Sequence, residues 1–214
     1  MLAIIEVLVS LIALAVTITI HESAHAWMAD KLGDPTARLS GRLSLNPLKH
    51  YDPIGTTLLL VLAVMSFLGL PVIPFGWAKP VPFDPYNLKD PRKGAALISV
   101  AGPSANIIFA IFLALIVRIF PMTTGILALV IILNLSLAIF NLIPIHPLDG
   151  GKILAGFLPE KEAREFDYFM NRVGIILLIF LIFPIFGSTS LITSIFYPII
   201  NFLLNLLIPG FGKI

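Results

Sequence analysis

Hydrophobic positions in this chain fall into long, nearly uninterrupted runs near residues 1–29, 54–70, 95–120, 125–145, 172–186 and 190–208, and nearly all the charge sits between them. Such runs predict membrane helices, because about 20 consecutive apolar residues at 1.5 Å each cross a hydrocarbon core about 30 Å thick. The run at 54–70 is short for a crossing. It passes into Gly69-Leu70-Pro71-Val72-Ile73-Pro74-Phe75-Gly76, whose prolines and glycines break helices. Between the first two runs, residues 39–45 alternate apolar and polar side chains and end at Asn46-Pro47, which predicts a short strand or hairpin. The expected fold is an all-α integral membrane helical bundle, with a short β or re-entrant element between the first span and the central helices.

Charge orients the runs. Lys31, Arg38, Arg42 and Lys49 follow the first, Lys79, Lys89, Arg92 and Lys93 precede the third, and Lys152, Lys161, Arg164 and Arg172 follow the fourth. The positive-inside rule places these three loops in the cytoplasm and makes 121–125, Pro-Met-Thr-Thr-Gly, the external turn. A complete crossing by 54–70 would reverse every later span. A re-entrant or broken element over about 54–76 keeps the basic loops on one side, and it belongs where protein or a wet cavity surrounds its free backbone groups.

Composition agrees: 58% of the 214 residues are hydrophobic and 12% are charged, far from a soluble average near 25% charged. The expectation is a single polytopic domain over 1–214, with core spans at about 1–29, 95–120 and 125–145 and C-terminal spans at about 172–208. Met1–Ile20 has no basic n-region and no small-residue cleavage site, so it reads as a retained span rather than a signal peptide. A net charge of +2 without a basic, aromatic-rich block gives no basis for a nucleic-acid partner. The chain has no cysteine, so histidines and carboxylates must hold any metal.

The chemistry begins where the first run ends, at His21-Glu22-Ser23-Ala24-His25. Histidines at i and i+4 project from one helix face, where both imidazoles can reach one Zn²⁺ at about 2.0–2.1 Å. Glu22 lies just off that face, placed to take a proton from water at the metal. The fourth run ends in Asn141-Leu142-Ile143-Pro144-Ile145-His146-Pro147-Leu148-Asp149-Gly150-Gly151. Asp149 offers the oxygen ligand that completes a two-histidine, one-carboxylate site with an open fourth position. The charge pattern puts His25 and Asp149 at the same membrane face.

Taken together, His21-Glu22-x-x-His25, Ala101-Gly102-Pro103-x-x-Asn106 and Asn141-Leu142-x-Pro144-x-x-x-Leu148-Asp149-Gly150-Gly151 resemble the site-2 proteases, the intramembrane zinc metalloproteases. Asn46-Pro47, His50-x-Asp52-Pro53 and Gly76-Trp77-Ala78-Lys79-Pro80-Val81 resemble a small, compact prokaryotic-type subgroup without a PDZ domain. The first span already carries the zinc motif, whereas longer relatives have a helix before it. The resemblance implies a helical bundle in the plasma membrane, with one catalytic Zn²⁺ near the cytoplasmic face. Its substrates would be single-span membrane proteins, cleaved within or near the membrane. It also implies that Asn141 binds the substrate backbone or the developing oxyanion.

Other residues have plainer readings. Asn106 suits helix-packing hydrogen bonds, His50 and Asp52 a solvated interfacial pair, and His146, beside Pro147, is disfavoured as a further ligand. Pro184, Pro198 and Pro209 suggest breaks in the last runs. The competing functions are a membrane metal-binding or transport protein and a non-catalytic helix-binding relative. Transport needs the ligands but no general base, so Glu22 separates it from proteolysis.

Overall fold

The two histidines belong to a buried stripe of the first helix, α1 (Leu2–Lys31). Ala13, Thr17, His21, His25 and Ala29 follow one another at intervals of four, and all five are buried, because residues so spaced stack on one helix face. Ile5, Leu8, Ile12 and Val16 point outward. An apolar outer face of this kind is what a helix surrounded by lipid requires.

A computed structural model describes residues 2–67, 77–183 and 190–208. After α1 come α2 (Thr36–Leu39), α3 (Gly55–Phe67), α4 (Pro91–Ile119), α5 (Thr124–Asn141), α6 (Asp149–Phe157), α7 (Glu160–Ile182) and α8 (Leu191–Leu207). Among the described residues, three stretches are long and apolar enough to cross a membrane: Ile5–Lys31, Pro91–Ile119 and Pro121–Asn141. This is a multi-pass membrane protein.

The centre of the bundle is α4, which packs against α1, α5 and α6. Its start is fixed by Asp90, whose carboxylate accepts from the Lys93 amide at 3.0 Å with Pro91 in the first turn. Gly94, Ala96, Ala101, Gly102, Ala110 and Ala114 are buried along it. In lipid the hydrophobic effect does little to join helices, and small side chains let backbones come close enough for dispersion to do so. Toward the end away from the histidines, Ala110, Leu113, Ala114 and Val117 pack with Ala128, Ile131 and Leu135 of α5 and Leu204 of α8. Arg118 then donates to the carbonyls of Leu206 and Leu207 at 2.8 and 3.0 Å, capping the C-terminus of α8.

The chain leaves α1 through Gly33, whose φ of +102° favours glycine. Asp34 follows, fully buried. Its carboxylate accepts from the amide and hydroxyl of Thr36, the Asp84 amide and the Asn87 side chain, at 2.5–3.1 Å. This clamps the end of α1 to the segment leading into α4. Burial pushes the Asp34 carboxyl up, but the hydrogen bonds from Thr36, Asn87 and Asp84 outweigh it and hold the group below the ordinary carboxylate range. A depressed folded value contributes stability that is complete above the unfolded pKa of about 3.9 and lost as pH falls through the folded one. Asp34→Asn should therefore lower Tm at neutral pH and flatten its acid dependence below about pH 4. Thermal unfolding in detergent across pH checks this, and an unchanged acid slope would refute it.

Several expectations need correction. No strand forms among the described residues, and 39–45 is a helix end and turn. Gly41 takes φ +69° and the Arg42 amide turns back to the Ala37 carbonyl at 2.8 Å, so the stretch cannot stay extended. Arg42 is buried with its guanidinium on the Lys49 carbonyl. The proposed re-entrant element appears as α3 over its first part, while 68–76 lie outside the described residues. The apolar run expected from 172 continues a helix that starts earlier, at Glu160, where Pro159 precedes it and Glu160 and Glu162 favour its first turn. Pro198 lies inside α8 without ending it, whereas Pro184 and Pro209 fall outside the described residues.

Candidate active site

At the α4 side of α1, both imidazoles have one nitrogen committed to an acceptor. His25 Nδ1 lies 2.7 Å from the Ile98 carbonyl, which can only accept, so Nδ1 carries the proton. His21 Nδ1 lies 2.7 Å from Asn106 Oδ1. The orientation of that amide follows from a chain of bonds. Asn134 Nδ2 donates to the Val130 carbonyl, leaving Asn134 Oδ1 to accept from Asn106 Nδ2 at 2.7 Å. Asn106 Nδ2 also donates to the Thr17 carbonyl at 3.0 Å. Asn106 Oδ1 is thereby the acceptor, and His21 Nδ1 donates to it.

With both Nδ1 protons spoken for, the Nε2 lone pairs turn to the same place. Asp149 Oδ2 lies 3.1 Å from His21 Nε2 and 3.2 Å from His25 Nε2. The three form a cluster able to hold a metal ion. Three electron-pair donors this close repel one another unless a cation joins them. Tetrahedral ligands at about 2.0–2.1 Å from zinc stand about 3.3 Å apart, so the spacing fits Zn²⁺. Asp149 opens α6, where its negative charge also meets the positive end of the helix dipole.

Glu22 sits beside the cluster and accepts from the Val81 amide at 3.3 Å. The extended segment carrying Val81 also supplies Pro80 and Phe83 to a cavity of about 160 Å³ around His21, Glu22, His25 and Asp149. Asn141 lines this cavity as well, its amide donating to the Leu137 carbonyl at 3.1 Å. His146 is directed elsewhere, pairing with Asp167 of α7 at 2.9 Å. His50 is buried, and Asp52 caps α3 by accepting from the Ile54 and Gly55 amides, so they do not form a solvated pair.

Sequence reasoning missed part of this site. Asn106, read as packing, also orients a candidate metal ligand, a role signalled by the four-residue stripe that puts Thr17 and His21 on the face meeting α4. Lys152 lines the cavity with its ammonium 5.1 Å from the Phe83 ring centroid. Nothing in the sequence joined those two positions.

Comparison with known proteins agrees with this geometry. Residues 122–181 match the model of peptidase family M50. A putative zinc metalloprotease YwhC of Bacillus subtilis is 37% identical over 202 residues, covering 89% of this chain and 84% of that one. The chain belongs to peptidase family M50, the site-2 proteases. Another similar protein, a putative zinc metalloprotease Rip2 of Mycolicibacterium smegmatis, is 30% identical over 78% of this chain and 64% of its own length. The regulator of sigma-E protease RseP of Escherichia coli is 35% identical over 48% of this chain and 23% of that protein. No solved structure matches.

A histidine that ligates a metal keeps its ring orientation through the bond made by its second nitrogen. Asn106→Leu should weaken zinc binding by about 10–100-fold, because His21 loses the acceptor that fixes its ring. A competition titration against a chromophoric chelator measures it, and unchanged affinity would show that Asn106 only packs.

Proposed function

We propose that His21, His25 and Asp149 hold the catalytic Zn²⁺ of this metalloprotease and that Glu22 is its general base. The observation that carries the reading is the approach of both Nε2 atoms to one oxygen of Asp149, at 3.1 and 3.2 Å. The protein is an intramembrane zinc metalloprotease acting on membrane proteins. We assign it single-span substrates, a cell-membrane location and an active site near the cytoplasmic face, where the basic loops gather. The whole of 1–214 is read as one protease domain.

Bound zinc supplies a Lewis acid that makes water acidic near neutral pH and polarises the scissile carbonyl. Glu22 takes a proton from the attacking water as its oxygen bonds to the carbonyl carbon. The same carboxyl then gives that proton to the departing nitrogen as the C–N bond breaks. Asn141, in the cavity wall, is placed to hold substrate backbone or to donate to the carbonyl oxygen as negative charge develops there. The substrate must be locally unwound, since a helical carbonyl is covered by its own hydrogen bond.

The test uses purified protein reconstituted in vesicles with single-span test substrates. Cleavage should stop with a zinc chelator and return on adding Zn²⁺. Zinc entering the vesicles with no cleavage would favour the transport reading and overturn this one.

A further inference from the structure

Behind the segment that covers Glu22 lies a second polar cavity of about 410 Å³. Arg42, Lys49 and Lys79 line it, joined by Ser40 and Tyr51. None of these three cations pairs with a carboxylate among the described residues. Arg42 is buried, and its guanidinium bonds the Lys49 carbonyl, which fixes one cation in the wall and leaves further N–H donors. The Lys79 amide donates to the His50 carbonyl at 3.0 Å, so the two cationic segments are tied together. Three cations brought to one concave surface without counter-charge repel one another, and an anion relieves that repulsion.

Next to it is an apolar cavity of about 230 Å³ between α1 and the start of α3. Leu48 and Tyr51 line both. His50 also lines the apolar one, and its buried Nδ1 has no hydrogen-bond partner. Its Nε2 donates to the Ser44 carbonyl at 2.8 Å, so Nδ1 is an acceptor suited to a hydroxyl. Free phosphate would use only the basic half. A molecule with an anionic head, hydroxyls and a hydrocarbon chain would use both.

We propose that this double cavity binds one anionic glycerophospholipid, its phosphodiester against Arg42, Lys49 and Lys79 and its apolar part beside Leu48 and Tyr51. Pro80 lines both the basic cavity and the catalytic one, so the lipid rests against the segment whose Val81 amide meets Glu22. Binding does not depend on the catalytic assignment and is read without activity.

Native mass spectrometry of the purified chain, with phosphatidylglycerol or phosphatidylcholine added to the micelle, provides the test. One phosphatidylglycerol should be retained in preference to phosphatidylcholine. Lys49→Gln/Lys79→Gln should weaken that retention by about 30-fold, and Lys161→Gln on exposed α7 should not change it. Lys49→Arg/Lys79→Arg should keep it, which separates loss of charge from loss of fold. Equal retention of both lipids, or of phosphatidylglycerol by wild type and the Gln variant, would overturn the proposal. So would full displacement of the lipid by millimolar inorganic phosphate, which would assign the basic cavity to a free anion.

Discussion

Glu22→Gln should reduce cleavage by about 10²–10⁴-fold while leaving zinc content unchanged. The two side chains are nearly isosteric, and the amide oxygen of glutamine can still accept from the Val81 amide that Glu22 meets at 3.3 Å. The cavity wall is therefore preserved. Lost is the capacity to hold a proton between its removal from water and its delivery to the leaving nitrogen. Zinc should stay because the proposed ligands, His21, His25 and Asp149, form a group able to hold a metal without Glu22. Measuring kcat with a single-span substrate beside metal content by elemental analysis separates the two roles. A variant that keeps most of its activity with full zinc would remove Glu22 from the chemistry, and one that loses zinc would make it a ligand.

Much of this site was legible because its parts obey simple periodicities. The spacing of His21 and His25 put two candidate ligands on one helix face, and the positions of the basic residues put Asp149 at the same end of the bundle. The structure adds the reason that face is buried, since Ala13, Thr17 and Ala29 continue the same stripe against α4. What the sequence could not convey was contact across helices. Asn106 is an unremarkable amide in a membrane helix until Thr17, Asn134 and His21 are seen around it. The misread strand at 39–45 has a similar cause. Alternation describes side chains on an extended backbone, but Gly41 turns the chain and Arg42 goes inward to a carbonyl seven residues on. Pattern was also silent on the charged first half of α7, which carries no apolar signal although it is helical. Local periodicity thus pointed to the candidate groups, and long-range hydrogen bonding decides how they are held.

Gly102→Ala should cost the protein its zinc although residue 102 offers no ligand. Added at this position, a Cβ would lie 2.5 Å from Cε1 and Nε2 of His25 and 2.7 Å from Cε1 of His21. Both rings are rigid, and neither can retreat without breaking its Nδ1 bond to the Ile98 carbonyl or to Asn106. Moving either ring ends the shared approach of the Nε2 atoms to Asp149. Zinc affinity should fall by about 100-fold or more, at or beyond the upper range for disturbing groups that orient a ligand. Helix propensity acts the other way, since alanine is favoured over glycine in a helix by about 1 kcal/mol, so the metal-free protein should not be intrinsically less helical. Gly125→Ala is the matched control, because nothing lies within 4 Å of a Cβ there. The expected pattern is full zinc in Gly125→Ala and depleted zinc in Gly102→Ala, with the chelator-induced drop in Tm nearly abolished in the latter. Full metal content and wild-type cleavage in Gly102→Ala would mean that the imidazoles do not meet at the place assigned to them, and the ligand set would fall with that result.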